Sequence, residues 1–193
     1  GAKGLSQGLT DSPDDCVFPN VNVETRFGAA VVTRCRMPIM TGALGSTFVA
    51  AKYWDAFAVG AALCGFPIVI GENVVGVDRQ SIIEDGRLRS SPELDRRIDI
   101  FLRYQDGFGA IIVQMNVEDT RFGVAEYVIG KLGVETIELK WGQGAKDIGG
   151  EVKLPTLERA DLLRSRGYLV IPDPAQAVSR EAFRQGALHG FER

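Results

Sequence analysis

A short loop between residues 140 and 150 holds the most distinctive chemistry of the sequence. Lys140 and Lys146 supply positive charge and Gln143 supplies an amide, while Gly142 and Gly144 let the backbone come close to a ligand. Cations and amide donors at this spacing suit an electron-rich or anionic ligand. An ordinary strand-to-helix turn with solvated lysines has the same pattern, so both interpretations stay open at this point.

The elements that must position this loop form a repeating pattern. Short apolar strands alternate with helices, and each strand ends in glycine or polar residues, which is typical of a parallel α/β fold with its function at the carboxyl ends of the strands. Strands are predicted at 38–41, 67–70, 110–114, 136–140 and 168–171, and helices at 47–63, 92–105, 124–132, 154–166 and 174–190.

The segments around this repeat are predicted to be less regular. Residues 1–36 form an N-terminal lead-in with one or two short strands between 21 and 33, and 74–91 form an irregular excursion. The first helix is expected to pack through an apolar face that includes Phe48, Ala51, Phe57, Ala58 and Ala62.

Composition sets the outer limits. The chain has 193 residues, of which 45% are apolar, and a net charge of -3, which predicts a globular domain and argues against a nucleic-acid partner or an acidic membrane surface. Three cysteines without a Cys-x-x-Cys pair favour a reducing, cytoplasmic location and give no complete metal site. No signal peptide or membrane span is expected, because the apolar runs are short and interrupted.

Four segments resemble, in chain order, motifs of the FMN-binding synthase domain of the glutamate synthase family. The resemblance extends from about residue 37 to 150. Residues 40–46 resemble the first FMN loop of the family, 71–73 its Thr-Gly-Glu-Gly-Gly turn, Gln114 with 121–124 its Gln-x-x-x-Gly-Arg-Phe-Gly-Val segment, and 137–150 its Ile-Glu-Ile-Lys-x-x-Gln-Gly-Ala-Lys-Pro-Gly-x-Gly-Gly stretch.

What the resemblance implies is a (β/α)8 TIM barrel, of which residues 37–193 would form about the first half. The implied reaction is FMN-dependent reductive amination of a 2-oxo acid, 2-oxoglutarate to glutamate. The roles transferred to matching positions are cofactor binding by Thr41, Gly42, Ala43, Gln114 and Lys140, substrate binding by Ser46, Gln143 and Lys146, and catalysis by Lys146 and Glu72.

Physical chemistry supports two of these roles. A lysine at position 140 near the N1–C2=O region would stabilise a reduced flavin anion, and Lys146 would attract a carboxylate. Glu72, predicted at a strand end, is suited to general acid or base catalysis, but pairing with a neighbouring arginine is an equal alternative. Trp141 is a candidate for stacking on a ligand, whereas Trp54 is expected in the core.

Departures from the family pattern leave the function open. The family's loop glutamate aligns with Ala50, and the segment after Lys146 is one residue shorter and lacks its proline. The sequence ends at Arg193, before the family's cluster cysteines, so a partner subunit or the remaining half barrel is expected, with an electron- or ammonia-delivering subunit and any iron–sulfur cluster belonging to the complete enzyme. The alternative is a non-catalytic structural or regulatory subunit.

Overall fold

The computed structural model describes residues 22–142, 151–184 and 189–191. In this part of the chain, strands and helices alternate through most of the sequence. In chain order the elements are β1 (Thr25–Phe27), β2 (Thr33–Cys35), α1 (Phe48–Cys64), β3 (Ile68–Ile70), α2 (Val74–Val77), β4 (Ile82–Glu84), β5 (Arg87–Ser90), α3 (Pro92–Tyr104), β6 (Ile111–Met115), α4 (Val117–Phe122), α5 (Val124–Leu132), β7 (Thr136–Leu139), β8 (Glu151–Lys153), α6 (Leu157–Ser165), β9 (Leu169–Ile171), α7 (Ala177–Arg184) and β10 (His189–Phe191).

A parallel sheet with strand order β3-β6-β7 lies at the centre. All residues of β3 and β6 are buried, as expected for strands with both faces covered. The residues before α1 extend this sheet: the Leu44 backbone N donates to Val69 O at 2.9 Å, and Gly71 N donates to Leu44 O at 3.1 Å. Leu44 therefore pairs in parallel with Ile70 at the outer edge of β3.

Helix α1 packs against α3 and against the sheet. Its first turn is capped by Thr47, whose hydroxyl accepts from Ala50 N at 3.2 Å, and it ends at Gly65, whose φ of 69° suits glycine. The face predicted to be apolar is only partly the one that is buried: Ala58 and Ala62 are in the core, but Phe48, Ala51 and Phe57 are exposed. The buried face is instead built around Trp54, Ala58, Ala61 and Ala62.

The expected TIM barrel is wrong for the described residues. Strand β9 does not join the parallel sheet but pairs antiparallel with β10, in a separate sheet of order β8-β10-β9. The predicted helix at 174–190 ends at Arg184, and β10 follows at His189. Only three named strands form the parallel sheet, and no barrel closes in the described ranges. An apolar run such as 169–171 fits parallel and antiparallel partners equally well, so its pattern could not decide between them.

The segment predicted to be an irregular excursion is ordered. Strands β4 and β5 form a hairpin, and Asp85 and Gly86 between them have φ values of 51° and 71°. Positive φ at both positions is the requirement of a two-residue hairpin turn of type I′, and Asp-Gly is a common sequence for it. The predicted strands between 21 and 33 correspond to the hairpin of β1 and β2, although β2 extends to Cys35.

None of the helices in the described ranges has the length and apolar character needed to cross a lipid bilayer.

A buried arginine connects α3 to the end of the sheet. Arg97 is 1% exposed, and its guanidinium donates to Glu93 Oε1 at 2.7 Å, to Gly45 O at 2.9 Å and to Leu44 O at 3.2 Å. Burial alone would raise the pKa of Glu93, but hydrogen bonds from Arg96 and Arg97 outweigh it and hold this pKa below its usual value.

Replacing Glu93 with glutamine is expected to lower the free energy of unfolding at pH 7 by about 1–3 kcal/mol, because Arg97 loses its charged partner. The pKa of Glu93 is lowered in the folded state, so its contribution is present above the unfolded pKa and is lost as pH falls through the folded pKa. Urea unfolding should therefore show a difference from wild type that shrinks below about pH 4. The exposed Glu84→Gln variant is the control, and a pH-independent difference for Glu93→Gln would contradict the prediction.

Candidate functional site

Polar side chains gather at the carboxyl edge of the parallel sheet. Ser46 follows Leu44, Glu72 follows β3, Gln114 lies near the end of β6, and Lys140 follows β7. Parallel strands end at the same edge, which in open α/β sheets is where ligands bind. The order in space is that of the sheet, so β6 with Gln114 lies between the ends of β3 and β7.

Gln114 has one amide atom without a partner among the residues that the structure describes. Its Nε2 donates to Glu138 Oε1, the residue directly opposite on β7, whereas its Oε1 is buried and accepts no hydrogen bond from the described residues. The residue is 7% exposed. Leaving a buried carbonyl oxygen unpaired costs about 1–3 kcal/mol, so this atom is a ready acceptor for an N–H group of a ligand.

Lys140 and Glu72 form an ion pair across the sheet. Lys140 Nζ donates to Glu72 Oε1 at 2.8 Å, and the backbone N of Lys140 donates to Met115 O at 2.8 Å. The side chains are largely buried, at 28% exposure for Lys140 and 15% for Glu72. Glu72 therefore pairs with a lysine, where the sequence suggested an arginine. With Glu138 nearby, the formal charges of the three residues sum to -1, so the charge of Lys140 is already compensated.

Residues 41–43, which are predicted to bind the cofactor, are brought to the carboxyl edge of the sheet only in part. Thr41 lies beside the start of β3: its backbone N donates to Pro67 O at 3.2 Å, and its hydroxyl accepts from Val69 N at 3.1 Å. The Thr41 hydroxyl thus supports the sheet. Gly42 and Ala43 are exposed, and a Cβ added to Gly42 would meet no atom within 4 Å.

Ser46 is half-buried and follows Gly45, where the backbone lies very close to the backbone of Gly71 and Glu72. A Cβ on Gly45 would lie 2.8 Å from Glu72 O, and a Cβ on Gly71 would lie 2.6 Å from Gly45 N, so both positions require glycine. The two Arg97 hydrogen bonds to Leu44 O and Gly45 O fix the same turn. The loop that presents Ser46 is therefore held by packing and by a buried cation. Gln143 and Lys146, the other two predicted substrate residues, lie outside the described part of the chain.

A buried network beneath the site was not predicted from the sequence. Asn73, directly after Glu72, has φ +65°, and its backbone N donates to Asp119 Oδ2 at 2.9 Å. Its Oδ1 accepts from Asn116 Nδ2 at 3.2 Å and from the Tyr168 hydroxyl at 2.7 Å. The network connects the ends of β3 and β6 to the start of β9.

Part of this network has a recognisable sequence signal. Asn116 and Asp119 form a reciprocal capping box at the start of α4, with Asp119 N donating to Asn116 Oδ1 at 2.9 Å. The contribution of Tyr168 depends on Gly76, because a Cβ at Gly76 would lie 2.1 Å from the Tyr168 hydroxyl oxygen. Gly76 and Tyr168 are far apart in the sequence, so no short sequence pattern could predict this contact.

Within the ranges that the structure describes, no three His, Cys, Asp or Glu side chains are grouped so that they could hold a metal ion.

Comparisons with known proteins give no match to this chain, whether with family models, curated proteins or solved structures. The resemblance to glutamate synthases therefore depends on the four segments alone and stays a prediction.

Proposed function

We propose that the carboxyl edge of the parallel sheet binds FMN and that the chain is part of a flavin-dependent oxidoreductase of the glutamate synthase type, acting on a 2-oxo acid or amino acid. The unpaired, buried Oε1 of Gln114 is the observation on which the proposal rests. An isoalloxazine ring offers an N–H donor beside its carbonyl groups, which suits a carbonyl acceptor at this position.

The residues at the edge fit a flat, polar ring in several respects. Gln114 would accept from a ring N–H while Glu138 holds its other amide atom, and the exposed backbone of Gly42 and Ala43 leaves room for close approach. When bound, FMN would supply the electron transfer, and the protein would supply binding and orientation. Thr41 stays among the proposed cofactor residues through its backbone, as Gly42 and Ala43 do, because its hydroxyl already accepts from Val69 N.

The charges of the site modify the role expected of Lys140. Its pairing with Glu72 means that Lys140 adds no net positive charge beside the ring, so we do not assign it the stabilisation of a reduced flavin anion. Instead, Lys140 orients Glu72 at the end of β3, where the carboxylate remains the candidate proton-transfer group. Ser46, Gln143 and Lys146 stay the proposed substrate residues. A cytoplasmic location and a partner that delivers electrons or ammonia belong to the same proposal.

Replacing Gln114 with leucine is expected to weaken FMN binding about 5- to 100-fold, because the ring N–H loses its acceptor. Titration of the purified chain with FMN, followed by quenching of flavin fluorescence, measures the affinity. Gln80→Leu is the matched control, since Gln80 is exposed and takes part in none of the contacts described at the edge. Absence of FMN binding to the wild-type chain, or equal affinity in Gln114→Leu, would refute the proposed site.

One observation favours a second function, that of a non-catalytic structural or regulatory subunit. Lys140 and Glu72 neutralise each other, so neither needs a ligand to balance its charge. A subunit of this kind would show no flavin in the absorption spectrum and no change of stability on addition of FMN. A gain in melting temperature with FMN would instead support the flavin proposal, because a ligand that binds only the folded state stabilises it.

A further inference from the structure

Apart from Lys52 and Asp55, helix α1 is apolar around its whole circumference. One side is buried in the core around Trp54, Ala58 and Ala61. At 100° per residue, the opposite side is centred on Ala56, and its sequence is nearly as apolar as the buried side. The residues of this outer face are Phe48, Val49, Lys52, Tyr53, Ala56, Phe57, Gly60 and Leu63. A helix that is apolar on all sides is normally covered on all sides.

The outer face is large enough to form an interface. Phe48 is 76% exposed, Tyr53 48% and Leu63 63%. Since an aromatic side chain has about 200 Å² of surface, the exposed aromatic and aliphatic groups together offer on the order of 500 Å² per chain. Two such faces would bury on the order of 1,000 Å², which reaches the lower limit for a specific protein interface. A patch of this size is in the upper part of the range of the largest apolar patches on monomers, and such patches often have a function.

The shape of the face suits a second copy of itself. Its large side chains, including Val49 and Tyr53, lie in the first half of the helix, whereas the second half contains Gly60. In an antiparallel pair with its twofold axis at Ala56, Val49 of one copy lies level with Leu63 of the other, and Tyr53 lies on the same side of the contact as Gly60, about 1.5 Å from it along the helix axis. A Cβ added to Gly60 would meet no atom within 4 Å, so the space beside Tyr53 is open.

The charges of the face are compatible with the same pairing. Lys52 is the only charged residue on it, with its Nζ 5.3 Å from the centre of the Tyr53 ring, and Asp55 lies at its border. In the antiparallel arrangement, Lys52 of one copy lies about 7.5 Å along the helix axis from Asp55 of the other, within reach of its flexible side chain. Opposite charges therefore approach each other, and the two lysines stay apart.

We propose that the outer face of α1 pairs with the same face of a second copy in a symmetric antiparallel dimer centred on Ala56. The contact is isologous, as the commonest homodimers are. It uses none of the residues proposed for the flavin site, because it is formed by the side of α1 opposite the one buried in the core.

Light scattering coupled to size-exclusion chromatography tests the proposal on the full chain. The molar mass measured by light scattering should be twice the chain mass of 20.9 kDa for the wild type. It should equal the chain mass for Tyr53→Glu, because this change places a charge in the contact beside Gly60. Ile129→Glu, which changes an exposed apolar residue on α5, should remain a dimer. A monomeric wild type, or a dimer that survives Tyr53→Glu with unchanged circular dichroism, would overturn the proposal.

Cross-linking supplies a second test if Tyr53→Glu does not fold. In a chain with Cys16 and Cys64 replaced by serine, Ala56→Cys places two thiols at the twofold axis, and a short bismaleimide should join them. Ala51→Cys is exposed on α1 but lies about 140° from Ala56 around the helix, so it should not be joined. Equal cross-linking of both variants, or of neither, would contradict the antiparallel pairing.

Discussion

Replacing Trp54 with alanine is expected to lower the free energy of unfolding by about 3–5 kcal/mol, the largest effect among the substitutions considered. The side chain is 0% exposed and fills the space between α1 and α3. Its Nε1 donates to Arg97 O at 3.0 Å, and the Arg97 guanidinium lies 5.1 Å from the centre of its ring. Alanine would leave a cavity, an unpaired backbone carbonyl and a buried cation without its aromatic neighbour. Chemical unfolding followed by circular dichroism measures the change.

The second tryptophan of the chain is the matched control. Trp141 is 90% exposed, so Trp141→Ala should change the free energy of unfolding by no more than about 0.5 kcal/mol. Fluorescence separates the two residues independently, because the Trp54 emission should be blue-shifted and insensitive to an ionic quencher. Equal destabilisation by the two substitutions would show that Trp54 is not at the centre of the core.

Replacing Asp119 with alanine is expected to lower the free energy of unfolding by about 2–4 kcal/mol. The change removes the acceptor of Asn73 N and half of the capping box with Asn116. Asn73 has a positive φ, which its tertiary contacts sustain, so the turn after β3 should lose its conformation together with the hydrogen bond. Thermal and urea unfolding give the stability of the variant.

The Asp119 variant also tests the link between the buried network and the proposed flavin site. Because Asn73 follows Glu72 and Asn116 lies two residues after Gln114, FMN affinity should fall in Asp119→Ala under conditions where the protein remains folded. Asp99→Ala, which breaks an exposed ion pair with Arg103, should change stability by less than about 1 kcal/mol and leave affinity unchanged. Unaltered FMN affinity in a folded Asp119→Ala protein would separate the network from the site.

Local patterns predicted individual elements better than they predicted their assembly. Helix α1 was identified because residues 47–63 are rich in alanine and Gly65 marks the end of the helix, and the three parallel strands were placed within one or two residues because each is a short apolar run with β-branched residues. The exposed face of α1 was misplaced, since a helix that is apolar all round has no periodicity to show which side is buried.

The assembly of the later strands depended on information that is absent from any short window. Residues 169–171 look like another parallel strand, yet β10 at 189–191 pairs with them from the other direction. The Asp-Gly turn of the β4–β5 hairpin was a local signal that the sequence interpretation overlooked.

For the candidate site, the sequence could predict residues but not their partners. Gln114 was selected through the family resemblance, and its bond to Glu138 follows from the strand register, which only the fold supplies. Lys140 pairs with Glu72, which lies 68 positions away in the sequence. No local pattern could therefore show that this lysine, predicted to be available to a ligand, has a partner that neutralises its charge. The Asn73–Tyr168 contact likewise depends on tertiary packing.

The close contact of Gly76 with the Tyr168 hydroxyl restricts how related sequences can diverge. A methyl group at position 76 would displace the tyrosine ring, and Asn73 would then lose a hydrogen-bond donor. A larger residue at position 76 therefore requires a change at position 168, and that change alters the contact with Asn73. A descendant that acquires a larger residue at 76 must shorten the side chain at 168 and find another way to hold the bend after β3.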